Sequence, residues 1–160
     1  MIFVTVGTQL PFERLIEAVD LWAAEHPETE VFAQVGETRY QAKHMTCVEK
    51  LGPGEYTEKF NQADVVVSHV GMGTIISGLE HAKPLVLMPR LAEKGEHRNN
   101  HQLGTAEKFS KYKQIQFVNT AQELNTAISA CLATKLSPEQ GCPETSVNLI
   151  KKLKSFVNEE

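Results

Sequence analysis

At 160 residues, with 41% hydrophobic and 22% charged side chains and a net charge of −4, the chain has the size and balance of one globular domain. That excludes a disordered polar tail and argues against nucleic-acid binding, which needs a basic footprint; no apolar stretch nears the roughly 20 residues of a spanning helix. Residues 1–7 carry no basic, long apolar leader and Cys47, Cys131 and Cys142 have no C-x-x-C spacing, so a reduced, cytoplasmic protein is expected.

Residues 2–6 are a short β-branched run ending at Gly7, the pattern of a buried strand entering a tight turn. Pro11 opens a predicted helix with Leu15, Ile16, Val19, Leu21 and Trp22 at helical spacing, ended by His26-Pro27. Residues 31–35 read as a second strand and 46–51 as a third, closed by Gly52-Pro53-Gly54. A helix through Tyr56, Phe60 and Ala63 follows. The strongest strand, 64–68, runs straight into His69-Val70-Gly71-Met72-Gly73-Thr74, and residues 74–82 are helical. Lys83-Pro84 breaks that helix before a strand at 85–88. A polar loop, 92–100, leads into a helix through Leu103, Ala106 and Phe109. Residues 115–118 are the last predicted strand, and 121–133 and 145–157 are closing helices.

Short apolar strands alternating with amphipathic helices predict a doubly wound α/β domain, a parallel sheet covered on both faces. Ligands of such sheets bind beyond the carboxyl ends of the strands, so the loops after Val6, Leu51, Ser68 and Met88 share the functional edge. In the loop after Ser68, Gly71 and Gly73 let an anion approach the backbone, the first helical N–H groups and the macrodipole supply positive potential, and Thr74 adds a hydroxyl. The alternative is a helix entry whose glycines only permit close strand–helix packing. Gly7-Thr8-Gln9 lies on the same edge, as a second contact or a simple turn. It carries neither G-x-G-x-x-G nor the Walker A spacing, which lowers dinucleotide and P-loop readings. The third loop gathers Arg90, Glu96, His97, Asn100, His101 and Gln102, whose planar polar groups suit sugar hydroxyls or a solvated surface. His97 and His101 have zinc-helix spacing, but Arg98 replaces the acid of H-E-x-x-H, and no metal or cofactor is expected.

The pattern Ser68-His69-x-Gly71-x-Gly73-Thr74, Lys83-Pro84-Leu85-Val86, Pro89, Asn100-His101-Gln102 resembles the C-terminal, nucleotide-sugar-binding half of family 28 glycosyltransferases of the MurG type. The opening Phe3-Val4-Thr5-Val6-Gly7-Thr8 with Phe12-x-x-Leu15-Ile16 resembles the small subunits of two-part glycosyltransferases. These include the subunit acting on dolichol-linked glycans. The run from Pro89 to Gln102 is most similar to the bacterial exopolysaccharide and capsule branch.

The resemblance implies the Rossmann-like C-terminal half of a GT-B fold over residues 1–160, with 145–157 a closing or partner-docking helix. It implies a UDP-sugar donor, with Gly7 and Thr8 bordering the phosphates and His69, Gly71, Gly73 and Thr74 cradling the diphosphate. His101 and Gln102 would hold the donor sugar. The glutamate that grips the ribose in MurG-type enzymes falls at Ser77, and Glu80, one turn on, is the substitute considered. A membrane-anchored partner would carry the acceptor site for a lipid-linked glycan, keeping the chain peripheral at the inner face of the membrane. The general base is not evident; His97 and His101 are candidates, and a partner residue is preferred. A non-catalytic nucleotide-sugar-binding or regulatory module is the rival reading.

Overall fold

The computed structural model describes residues 1–7, 12–81, 83–91 and 114–133. Apolar runs of three to five residues form six strands: β1 (Ile2–Thr5), β2 (Val31–Gln34), β3 (Thr46–Val48), β4 (Val65–His69), β5 (Leu85–Met88) and β6 (Ile115–Phe117). Among the described residues four helices connect or follow them: α1 (Glu13–Glu25), α2 (Pro53–Gln62), α3 (Met72–Glu80) and α4 (Ala121–Ala133). All pairings are parallel, in the order β3-β2-β1-β4-β5-β6. This is the doubly wound sheet expected. The predicted helix start at Pro11, the helix through Leu103 and the segment 145–157 lie outside the described residues.

The order reverses between β1 and β4. From β1 the chain moves outward through α1 to β2; from β4 it moves the other way through α3 to β5. Right-handed crossovers therefore put α1 and α3 on opposite faces. Strand alternation follows suit. Ile2, Val4, Val65, Val67, Val86 and Met88 pack with α1 and α4, while Phe3, Val66, Leu85, Leu87 and Ile115 pack with α2 and α3. Both faces are dry, so all of β1 is apolar except its last residue, Thr5.

Two details differ from the periodicity. Leu21 is 55% exposed, whereas Asp20 is only 3% exposed and turned into the protein. The reason is polar. Asp20 Oδ1 accepts from the His44 amide at 2.8 Å, and Oδ2 from the Tyr40 hydroxyl at 2.8 Å. The Lys43 amide adds a bond of 3.1 Å to Oδ1, so one carboxylate anchors the β2–β3 connection on α1. β3 is three residues rather than six because it is the sheet edge, with Thr46 and Cys47 exposed. At the amino edge, Lys83 Nζ donates to the carbonyls of Asn61 at 2.7 Å and Ala63 at 2.8 Å, closing the end of α2. Lys83-Pro84 thus serves the fold on the edge away from the loops after β1 and β4.

Burial pushes the Asp20 carboxyl up, but the bonds from His44, Tyr40 and Lys43 outweigh it and hold it below the ordinary carboxylate value. The same bond, with burial second, pushes the Tyr40 phenol up to about 12. Asp20→Asn is expected to cost about 2 kcal/mol at neutral pH. A depressed carboxyl contributes above its unfolded pKa, so the difference from wild type shrinks as acid protonates Asp20 in the folded state. The raised phenol contributes below 10.0 and its share is lost as pH rises toward about 12. Chemical denaturation across pH measures both limits, and a loss independent of pH excludes the anchor.

Candidate functional site

β4 delivers the chain to the carboxyl edge at His69, and two residues later α3 begins. Gly71 is its N-cap, in extended backbone (φ −120°, ψ 137°), with no side chain bonded to the helix start. Gly71 N donates to the His69 carbonyl at 3.0 Å and Ile75 N to the Gly71 carbonyl at 3.0 Å. That leaves the amides of Met72, Gly73 and Thr74 without an intrahelical acceptor, on the positive end of the helix dipole. Gly73 is exposed, and a Cβ built there meets nothing within 4 Å. Among the described residues, nothing crowds the first turn at Gly73.

His69 stands between two glycines. A Cβ at Gly7 would lie 2.9 Å from its Cε1, and one at Gly71 would lie 2.6 Å from its Nε2. Gly7 also turns in the left-handed region at φ +77°, where other residues are strained. Gly71 has an ordinary φ, so its missing side chain is about room alone. Close strand–helix packing, the alternative role for the glycines of this loop, is also served by Gly78, where a Cβ would clash with Leu85 Cδ1. The half-buried His69 ring is oriented by Ser68, whose Oγ lies 3.2 Å from Nδ1. Thr74 is buried, and its side chain meets the Tyr56 hydroxyl of α2, a phenol raised above its ordinary value by desolvation.

Gly7 does not present its own amide to the pocket, since Gly7 N points to Thr5 Oγ1 at 3.4 Å. Arg90 is placed differently from a side chain reaching for a ligand. It is 3% exposed, its guanidinium donates to the Val6 carbonyl, and it stands 5.3 Å over the Phe12 ring. Arg14 stands 5.4 Å over the same ring and donates to the carbonyls of Pro89 at 2.8 Å and Asn119 at 2.9 Å. Together the two arginines tie the ends of β1, β5 and β6 to the start of α1. Arg90 is therefore a brace behind the pocket. Among the described residues, no group of three His, Cys, Asp or Glu could hold a metal ion.

A sheet wound 3-2-1-4-5-6, with an anion-receptive helix start at its reversal, is shared by many nucleotide-binding enzymes. A family model decides among them: the glycosyltransferase family 28 C-terminal domain matches residues 1–157. The chain belongs to this family. The chain is also 25% identical, over 132 residues, to the UDP-N-acetylglucosamine transferase subunit ALG13 of Yarrowia lipolytica (strain CLIB 122 / E 150). That alignment spans 72% of this chain and 63% of the relative, so this chain covers less than two thirds of that protein.

Among solved structures, the family 28 domain superposes on an NMR structure of ALG13 with TM-score 0.61 and 19% identity, over 86% of this chain and 87% of that one. On MurG of Acinetobacter baumannii the TM-score is 0.60 at 15% identity, over 96% of this chain but 49% of that one. The glycotransferase of kitacinnamycin gives 0.64 at 19%, over 96% and 39%. These neighbours fix the fold as that of the C-terminal domains of GT-B glycosyltransferases.

Of the residues singled out in this domain, Gly7, His69, Gly71, Gly73 and Thr74 converge beyond β1 and β4. Ser77 is half-buried about 7.5 Å along α3 from Met72; Glu80 is exposed at the last position of the helix, about 12 Å along. Thr8, His97, Asn100, His101 and Gln102 lie outside the described residues. Thr5 and Gln34 were not expected at the site, and Ser68 was read only as the head of the loop motif. Their signal is a polar residue at or next to the end of each of three mainly apolar strands.

The N-cap glycine of α3 and the glycine of its first turn separate cleanly by substitution. Gly71→Ala is expected to cost about 1–3 kcal/mol by driving a methyl into the His69 ring. Gly73→Ala, in open space, is expected to leave stability unchanged or raise it by a few tenths to about 1 kcal/mol. Thermal unfolding of both variants measures the difference; a Gly71→Ala protein as stable as wild type contradicts the nested ring.

Proposed function

We propose that this chain is the donor-binding, catalytic-type subunit of an inverting glycosyltransferase. In this reading it takes a UDP-sugar and extends a lipid-linked glycan in exopolysaccharide or capsule biosynthesis. It acts at the inner face of the membrane with a membrane-anchored partner that binds the acceptor. The observation that carries the reading is the start of α3: the amides of Met72, Gly73 and Thr74 have no intrahelical acceptor and stand beside His69, with clearance at Gly73 among the described residues. Family membership and the likeness to a UDP-N-acetylglucosamine transferase subunit support a nucleotide-sugar donor. No described helix is long and apolar enough to cross a membrane, which is compatible with an anchor on the partner.

In transfer, an acceptor hydroxyl attacks the anomeric carbon from the face opposite the diphosphate. The bond from that carbon to the β-phosphate oxygen breaks, and UDP leaves with the electron pair. The fixed amides and the dipole of α3 stabilise the charge gathering on the diphosphate, with little reorganisation because the helix is already in place. His69 adds a donor from its ring. Ser77, a turn and a half into α3, is the nearer of the two candidates for the ribose; Glu80 lies another turn away. The donor sugar falls to Asn100, His101 and Gln102, and the acceptor proton to His97, His101 or a base on the partner.

Calorimetry with UDP, GDP and UDP-sugars tests the donor, and transfer by the chain with its partner tests the catalysis. UDP is expected to bind while GDP does not, and one UDP-sugar is expected to bind more tightly than UDP. His69→Ala is expected to weaken UDP binding about tenfold, the loss of one charge-facing donor. Transfer that survives both His69→Ala and Gln102→Ala at the wild-type rate contradicts a catalytic subunit and favours a regulatory module.

A further inference from the structure

At the carboxyl edge, three neighbouring strands carry buried polar side chains in one register, at the last residue of β1 and β2 and the next-to-last of β4. Thr5 of β1 lies opposite Gln34 of β2 on one side and Ser68 of β4 on the other. They are 1%, 5% and 0% exposed. Two residues earlier on the same face, the register carries Phe3 with Phe32 and Val66, so the polarity is confined to the carboxyl end.

The row is fully wired. Thr5 Oγ1 donates to Gln34 Oε1 at 2.8 Å, and Gln34 Nε2 donates to the carbonyls of Gly7 at 3.2 Å and Glu49 at 2.9 Å. Only the amide nitrogen can serve two carbonyls, which fixes the orientation of the Gln34 side chain. Val6 N donates to the Gln34 carbonyl at 3.3 Å, Val6 O accepts from Arg90, and Gly7 N points to Thr5 Oγ1. Every polar backbone group of Val6 and Gly7 is therefore taken. Ser68, at the other end of the row, holds Nδ1 of His69, whose ring rests against Gly7.

We propose that the buried row Gln34–Thr5–Ser68 is a set of positioning residues that locks the left-handed turn at Gly7 and, through it and Ser68, the place of the His69 ring beside the α3 amides. This rests on the donor-site reading given above. Burying three polar side chains where apolar ones would pack is costly unless their bonds are used, and the groups they bind are those that shape the pocket wall. The three need not touch the donor. They act by keeping Gly7 and His69 from drifting, since displacements near 1 Å are enough to cost a site most of its affinity or rate.

The test uses the full chain with Thr5→Val, which keeps shape but loses the hydroxyl, Thr5→Ser, which keeps the hydroxyl, and Gln34→Leu. Two measurements are made on each: the NMR signal of His69 Cε1–H without ligand, and UDP affinity by calorimetry. Thr5→Val and Gln34→Leu are expected to move the His69 signal and weaken UDP binding roughly tenfold or more, with Thr5→Ser close to wild type in both. A His69 signal unmoved in Thr5→Val, with UDP affinity within about twofold of wild type, overturns the proposal. If wild type itself does not bind UDP, the donor-site reading fails, while the ring signal still decides the positioning role. Should Gln34→Leu not fold, the Thr5 pair decides alone.

Discussion

Where the strand order reverses, the chain leaves β1 and β4 toward opposite faces of the sheet, and a crevice opens between the two departures. The first turn of α3 borders that crevice with three amides that the helix cannot satisfy and that its cap residue, Gly71, leaves without a side-chain bond. A helix start left bare in this way needs water or a ligand to complete it. The glycines follow from that need: Gly73 leaves the amides open, while Gly7 and Gly71 make room for a histidine ring at their side. The chemistry proposed for the domain depends on this one unsatisfied helix end.

The interior divides its work by depth. Through most of their length the central strands are apolar on both faces, and two separate clusters, one under α1 and α4 and one under α2 and α3, hold the sheet. At the ends of β1 and β2 and the next-to-last residue of β4 the logic changes, and Thr5, Gln34 and Ser68 replace hydrocarbon with directed bonds. Apolar packing cannot specify a left-handed turn or an imidazole orientation, whereas hydrogen bonds can. Arg90 and Arg14 extend the same device toward β5 and β6, with Phe12 as a common surface.

Much of this was legible in the sequence because it is periodic or local. The strand at β4, the glycines after it and the break at Lys83-Pro84 are short-range signals, and they placed the strands and helices in their observed order. What escaped was set by contacts far apart in the chain. Asp20 occupies an inward position that Leu21 was expected to share, because amides of residues 43 and 44 need its carboxylate. The shortness of β3 comes from its place at the sheet edge, which only the strand order reveals. Gln34 looks like an unremarkable polar residue until its bonds to Thr5, Gly7 and Glu49 are seen. Arg90 sits in a loop that suggests ligand contact, and its burial against Val6 and Phe12 gives it another task.

The most direct test of the bare helix end is an amide-resolved NMR titration of the isotopically labelled chain with UDP. Saturable shifts centred on the amides of Met72, Gly73 and Thr74, with the His69 ring following, are the result expected. Saturable binding that leaves those three amides in place and moves signals elsewhere on the sheet would contradict the account.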